Sequence, residues 1–358
     1  MINVTKPYLP DIKKYERYIE SIYENKWLTN HGPLEKELTT RLSEYLGVKN
    51  LILVANGTLA LSVAYKLLNL KKKAITTPFS FVATTSSLVW DNINPVFSDI
   101  DSKTFNLNPT LIEKCIESDV DAIVPVHVFG NACDIDSIQH IADRNNLRVV
   151  YDASHTFGVK YKNRSILSYG DVSTLSFHAT KLFHTVEGGA LVVNDDKLYD
   201  TAKNIIDFGY DSAGMVSNLG INAKLSEFHA AMGLAVLDDI DKILEKRQII
   251  VERYNFLLTD LFEYQEYNID CTKNYSYFPV LFRSEMCLKK CMSHLNDNGI
   301  FPKRYFTPSI DRLPYLENDS YVPVSWDISG RILCLPLYPD LTISDVNFIV
   351  DKIKEALN

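Results

Sequence analysis

Leu51-Ile52-Leu53-Val54-Ala55-Asn56-Gly57-Thr58-Leu59-Ala60-Leu61-Ser62-Val63 passes from strand to turn to helix without a spare residue. The consecutive apolar residues 51–54 have strand length and read as a strand buried on both faces, with Ala55-Asn56-Gly57-Thr58 as the turn. Leu59, Val63 and Leu67 then recur on one face of a helix. The alternation continues to about residue 200, with strands expected over 122–128, 148–151, 172–177 and 190–193 and a helix over 135–145. Such an order predicts an α/β fold, a mostly parallel sheet flanked by helices. Upstream, Gly32-Pro33 opens a helix whose Leu34, Leu38, Leu42 and Leu46 form a core face. Downstream, 225–261 reads as one helix long enough to bridge two subdomains, followed by a strand over 277–282 and helices over 284–298 and 344–357. The pattern divides the chain into a large domain, 1–244, and a smaller C-terminal α/β subdomain, 245–358.

The chain has 358 residues, with 37 Lys and Arg against 45 Asp and Glu and a net charge of −8. With no long basic run, a nucleic-acid backbone is excluded as the main partner, and anionic ligands need a local site. The longest apolar stretches are strand-sized and the N-terminus lacks a secretory pattern, so a cytoplasmic protein that does not span a membrane is expected. Six cysteines (Cys115, Cys133, Cys271, Cys287, Cys291 and Cys334) show no CxxC pairing and read as buried thiols. Cys287, Cys291 and His294 share a helix face, but three ligands without a fourth favour apolar packing, and no metal is expected.

Ligands in open α/β sheets gather beyond the carboxyl ends of the strands. Asp152 ends the strand Val149-Val150-Tyr151, where it either faces a ligand or caps the next loop. His155 either bonds a ligand or satisfies local backbone. Asn56-Gly57-Thr58 either cradles a phosphate at a helix start or serves plain turn and capping chemistry. Phe81, in Thr77-Pro78-Phe79-Ser80-Phe81, is either core or a ring lying against a flat ligand. Ser176-Phe177-His178-Ala179-Thr180-Lys181, followed by Glu187-Gly188-Gly189, puts a lysine after a strand and before a small-residue turn. A lysine so placed, with a strand-end aspartate, suits pyridoxal phosphate held as a Schiff base. The amine condenses with the aldehyde, and the carboxylate keeps the pyridine nitrogen protonated so that the ring draws electrons.

Taken in order, these segments resemble the DegT/DnrJ/EryC1/StrS family of nucleotide-sugar aminotransferases, which are fold-type I pyridoxal phosphate enzymes. The resemblance covers nearly the whole chain. It includes Trp27-Leu28-Thr29-Asn30-His31-Gly32-Pro33, Asn56-Gly57-Thr58-Leu59-Ala60-Leu61, Pro125-Val126-His127, Gly220-Ile221-Asn222-Ala223-Lys224-Leu225-Ser226-Glu227 and Arg304-Tyr305-Phe306. It implies that Lys181 carries the cofactor, Asp152 pairs with the pyridine nitrogen, His155 lies near the ring hydroxyl and Phe81 stacks on the ring. Gly57, Thr58 and Ser176 match phosphate positions. Asn222 matches an asparagine that reaches the phosphate from a neighbouring subunit, which implies a homodimer with shared sites. Lys224 stands where an arginine is common and, with Arg304, Tyr305 and His31, is an expected substrate contact.

The implied reaction moves the amino group of L-glutamate to a nucleotide-linked keto-sugar in two halves through pyridoxamine phosphate. The 176–189 segment looks closest to members that aminate C4 of dTDP-4-dehydro-6-deoxy-D-glucose, giving dTDP-4-amino-4,6-dideoxy-D-glucose for O-antigen or another surface polysaccharide. Alternatives are a C3 or UDP-linked keto-sugar aminotransferase, a sugar 3-dehydratase and a non-catalytic protein of the same fold. Dehydratase members carry histidine where Lys181 stands, and the intact Lys181, Asp152 and Ser176 argue for turnover.

Overall fold

The computed structural model describes residues 1–317 and 319–358. A sheet of seven strands organises the N-terminal part: β1 (Leu51–Val54), β2 (Lys73–Thr76), β3 (Asn94–Phe97), β4 (Val120–Val124), β5 (Arg148–Asp152), β6 (Val172–Ser176) and β7 (Gly189–Val193). Their spatial order is β1-β7-β6-β5-β4-β2-β3. Only β7 runs against its neighbours; the remaining pairings are parallel. The mostly parallel α/β sheet expected from the sequence is therefore present.

The two-residue period of a strand decides where each apolar side chain goes. Leu51, Leu53, Val149 and Tyr151 enter the core on one face, and Ile52, Val54 and Val150 enter the core on the other. Helices cover both faces, which is why these strands are continuously apolar rather than alternating.

Helix Pro33–Leu46 buries Leu34, Leu38, Leu42 and Leu46, as its spacing predicts. Its N-cap is Gly32, which has no side chain to offer, so the carboxylate of Glu227 substitutes. Glu227 Oε2 and Oε1 accept the N–H groups of Leu34 and Glu35 at 2.9 and 2.8 Å. A Cβ on Gly32 would lie 2.4 Å from Glu227 Cδ, so two segments far apart in the chain are sized for each other.

Two expectations change. The strand expected over 122–128 stops at Val124, because Pro125 has no N–H for a ladder. Beyond it Val126 makes a single bridge to Asp152, and Val128–Gly130 forms a 3-10 turn with Phe129 at φ 57°. The helix expected over 225–261 is two, Glu227–Leu237 and Ile240–Leu258, separated at Asp238-Asp239. Ala230 to Leu237 are all buried, whereas the second helix has an exposed face. Asp238 is tied to Arg41 Nη2 at 2.6 Å and Asp239 to Lys14 Nζ at 2.9 Å, which holds the break.

Helix Ile240–Leu258 contributes Ile243 to the core beneath the sheet and Ile250, Tyr254 and Leu258 to a separate apolar cluster. That cluster is completed by the antiparallel pair Pro279–Leu281 and Ile332–Cys334 and by helices Glu285–Asp297 and Ile343–Leu357. Cys291 lies inside it, Cys287 packs against it, and His294 Nε2 sits 3.3 Å from Glu355.

Candidate active site

The carboxyl ends of β5 and β6 open into a cleft of about 340 Å³. Gly57, Thr58, Phe81, Asp152, His155, Ser176, Lys181 and Tyr305 line it together, although they come from segments spread over most of the chain.

One wall is the N-terminus of helix Gly57–Leu67. The Asn56 side chain accepts from Leu59 N at 2.9 Å and the Asn56 carbonyl accepts from Ala60 N, leaving the Gly57 and Thr58 N–H groups for a ligand. Ser176 lies against this turn so closely that a Cβ on Gly57 would stand 2.9 Å from its Cβ. Gly189 serves the same turn from β7, since its own Cβ would meet Gly57 N at 2.7 Å. The Glu-Gly-Gly segment thus has a packing reason that local reading did not reveal. The two aromatics after Pro78 part company: Phe79 is fully buried, while Phe81 is 56 % exposed at the cleft and has an open ring face.

Asp152 forms the floor and is buried. Its Oδ2 accepts from Thr84 Oγ1 at 2.8 Å and its Oδ1 from Ser154 N at 3.1 Å. Both partners are neutral hydrogen-bond donors. His155 Nδ1 accepts from Phe129 N at 3.2 Å, and its ring lies parallel to Phe306 at 5.9 Å. Burial, with the Lys181 charge adding to it, pushes His155 well below the usual histidine range. The imidazole is neutral with its proton on Nε2.

Lys181 follows a turn closed by its own N–H to His178 O at 2.8 Å. Burial lowers its ammonium to about 8, against the opposing pull of Asp152. A lysine so depressed is a usable nucleophile and base near neutral pH. This donor set fits a flat anionic cofactor with a cationic ring nitrogen: a phosphate end at Gly57, Thr58 and Ser176, an aromatic face at Phe81, a buried carboxylate at Asp152 and an amine at Lys181.

Other expected residues lie elsewhere. His31 Nδ1 faces Glu35 at 3.4 Å in a separate groove. Arg304 donates through Nη2 to the carbonyls of Ser329 and Gly330, both at 3.0 Å, and meets Glu285 at 3.2 Å. Lys224 is bonded to Asp207 and lies over the Phe208 ring, its charge spent within the chain. Asn222 is exposed on the loop after helix Asp196–Ile206, bridging Asp207. Sequence reading passed over Thr84, His178, Glu187 and Tyr277; the last three line the cleft. Nothing local marks Thr84 or Tyr277, whereas His178 and Glu187 flank the lysine within the quoted segment.

The DegT/DnrJ/EryC1/StrS aminotransferase family model matches residues 11–354. The chain is 41 % identical over 361 residues to the dTDP-4-amino-4,6-dideoxy-D-glucose transaminase of Shigella dysenteriae, covering 99 % of this chain and 98 % of that protein. It is 37 % identical to the Escherichia coli protein of the same description, over 95 % and 94 % of the two chains. Among solved structures, DesI crystallised in the presence of its TDP-sugar product superposes with a TM-score of 0.95 at 28 % identity, over 100 % of this chain and 93 % of that one. The lysine, the strand-end aspartate and the helix-start turn are gathered in one cleft, and on the match over residues 11–354 the chain belongs to the DegT/DnrJ/EryC1/StrS aminotransferase family.

Proposed function

We propose that this aminotransferase moves the amino group of L-glutamate to C4 of dTDP-4-dehydro-6-deoxy-D-glucose, using pyridoxal phosphate, and so makes dTDP-4-amino-4,6-dideoxy-D-glucose for a surface polysaccharide such as O-antigen. The observation that carries the sugar assignment is the near full-length identity to two transaminases of that description. Work in the cytoplasm fits the expected substrates, and among the described residues no helix is long and apolar enough to cross a membrane. In this reading the chain divides at 244/245 into a cofactor-holding domain and a C-terminal domain.

When bound, pyridoxal phosphate supplies an electron-accepting ring against which a bond to hydrogen next to nitrogen can be broken. Lys181 would provide the covalent anchor, and its Nζ would take up and return the proton of the reacting carbon. Asp152, held by Thr84 and Ser154, keeps the ring nitrogen protonated. Phe81 would lie against the ring, His155 would offer its Nε2–H to the cofactor, and Gly57, Thr58 and Ser176 would hold the phosphate. Tyr305 is assigned to the substrate side of the cleft. Lys224 and Arg304, already paired within the chain, are assigned to anchoring their own segments.

The same reading makes the enzyme a homodimer in which Asn222 completes the partner's phosphate site. It is supported by the loop that carries Asn222. Tyr210 and Val216 pair across it, and Phe208, Met215, Val216, Leu219 and Ile221 are all exposed there, an apolar strip that a second copy would cover.

The decisive experiment incubates the protein with L-glutamate and dTDP- or UDP-linked 3-keto and 4-keto sugars, with mass and NMR detection of the amino product. Amination at C4 of the dTDP-4-keto substrate is expected. Preferred turnover of a 3-keto or UDP-linked sugar overturns the assignment.

A further inference from the structure

Lys181 Nζ donates to the Tyr277 hydroxyl at 3.4 Å. Tyr277 comes from the segment leading into the C-terminal strand pair, so this contact joins that part of the chain to the lysine. Tyr277 lines the cleft and also a narrow cavity of about 10 Å³ beside Lys181, which it shares with Ser154, Ser176, Thr180 and Ser276. His155, Phe157, Leu182 and Phe183 complete its lining, and it has room for about one water-sized group.

The phenol is held from several sides. The His155 ring packs on it at 4.7 Å, Phe129 at 5.6 Å, and Tyr305 stands edge-on at 5.9 Å. Its backbone is pinned by Arg247, a buried guanidinium whose Nη1 donates to the carbonyls of Tyr275 at 3.2 Å and Ser276 at 3.4 Å. Burial raises the Tyr277 hydroxyl above the usual tyrosine range, so it is neutral near neutral pH. A neutral phenol can accept one hydrogen bond and donate another.

We propose that Tyr277 is a catalytic partner of Lys181, holding the lysine nitrogen at the cleft wall whenever it is not bonded to cofactor and keeping it aimed at the reacting carbon. The inference rests on the role given to Lys181 above. While Lys181 carries a proton, the phenol oxygen accepts one of the ammonium N–H groups. After the proton has been returned, the phenol O–H donates to the amine lone pair. The proton travels between the substrate carbon and Nζ alone, and the tyrosine ends as it began. The other titratable groups lining the cleft are Asp152, which favours the ammonium, His155, which is buried and neutral, and His178, Glu187 and Tyr305.

The test uses the full chain freed of cofactor. Arylation by fluorodinitrobenzene is followed against pH, and modification of Lys181 is read by peptide mass mapping. The wild-type midpoint is expected near 8. Tyr277→Phe removes an acceptor that favours the charged form, so the midpoint should fall by about one unit. In the cofactor-loaded enzyme kcat should fall about tenfold or more, with KM for both substrates within about twofold. An unmoved midpoint overturns the proposal, and so does a moved midpoint with unchanged kcat. Borohydride trapping of cofactor on a lysine other than Lys181 sinks the parent reading instead, so the two failures are distinct. Should Tyr277→Phe not fold, 3-fluorotyrosine placed at 277 keeps the ring and weakens the acceptor. The midpoint should then move the same way by less, and no movement counts against the proposal.

Discussion

Thr84 Oγ1 donates to Asp152 Oδ2 across 2.8 Å, and both residues are buried. A carboxylate can only accept, so Thr84 must give its proton to Asp152, and Ser80, 2.9 Å from Thr84 Oγ1, is left to donate to Thr84. The chain of hydroxyls holds the carboxylate in one orientation. Thr84→Val should weaken cofactor binding about tenfold and lower unfolding stability by roughly 1–3 kcal/mol, while Thr84→Ser restores both. In an Asp152→Asn background the affinity effect of Thr84→Val should vanish. Equal losses in both backgrounds, measured by cofactor titration, would mean that Thr84 is packing only.

Lys181→Ala should abolish turnover and leave the fold intact, because it removes an anchor and a base rather than core volume. Wild-type protein treated with borohydride should carry reduced cofactor on the peptide containing Lys181. Trapping on any other lysine overturns the assignment.

Gly57→Ala places a Cβ 2.9 Å from Ser176 Cβ and 3.2 Å from its Cα, at the turn proposed to hold the phosphate. One of the two segments must shift. Stability should drop by about 1–3 kcal/mol and cofactor affinity by about tenfold or more, read by thermal melts and fluorescence titration. Affinity equal to wild type would remove this turn from the phosphate site.

His127 is fully buried, stacked on Tyr151 at 4.6 Å, with Nδ1 accepting from Cys133 N at 3.0 Å. Burial lowers it to about 3 from an unfolded value of 6.5. The unfolded chain therefore binds more protons between these values, so the His127 contribution is complete above pH 6.5 and is lost as pH falls toward 3. At pH 5 the loss from this one group is about 2 kcal/mol. Denaturant melts of His127→Phe should show a shallower acid dependence than wild type; parallel curves contradict the buried neutral imidazole.

Asn222 and Lys181 are predicted to serve one site from two chains. Co-expressed Lys181→Ala and Asn222→Ala chains form heterodimers in which one site carries both defects and the other neither, so activity should recover to about that of one wild-type site per dimer. The comparison requires Asn222→Ala alone to be substantially impaired. Purified heterodimers no more active than the parent mutants would place Asn222 within its own chain's site.

Local information was enough for the strand, turn and helix at 51–67, the core stripe of 34–46 and the helix over Ile135–Asn145. In each, apolar spacing and turn chemistry act over a few residues. The order of a lysine after one strand and an aspartate ending an earlier one was legible for the same reason, since parallel strands bring their carboxyl ends to one edge. Contacts between distant segments were not legible. Nothing near Lys224 in the chain reveals that Asp207 takes its charge, and nothing near Arg304 reveals that the carbonyls ending helix Pro323–Arg331 do so. At the break Asp238 and Asp239 meet Arg41 and Lys14 from distant segments, and Thr84 reaches Asp152 only because β5 lies two strands from β2 in the folded order. Sequence decides what each segment tends to form, but which hydroxyl, ammonium or carboxylate meets another is decided when the segments pack, because buried polar groups must find partners wherever the fold brings them.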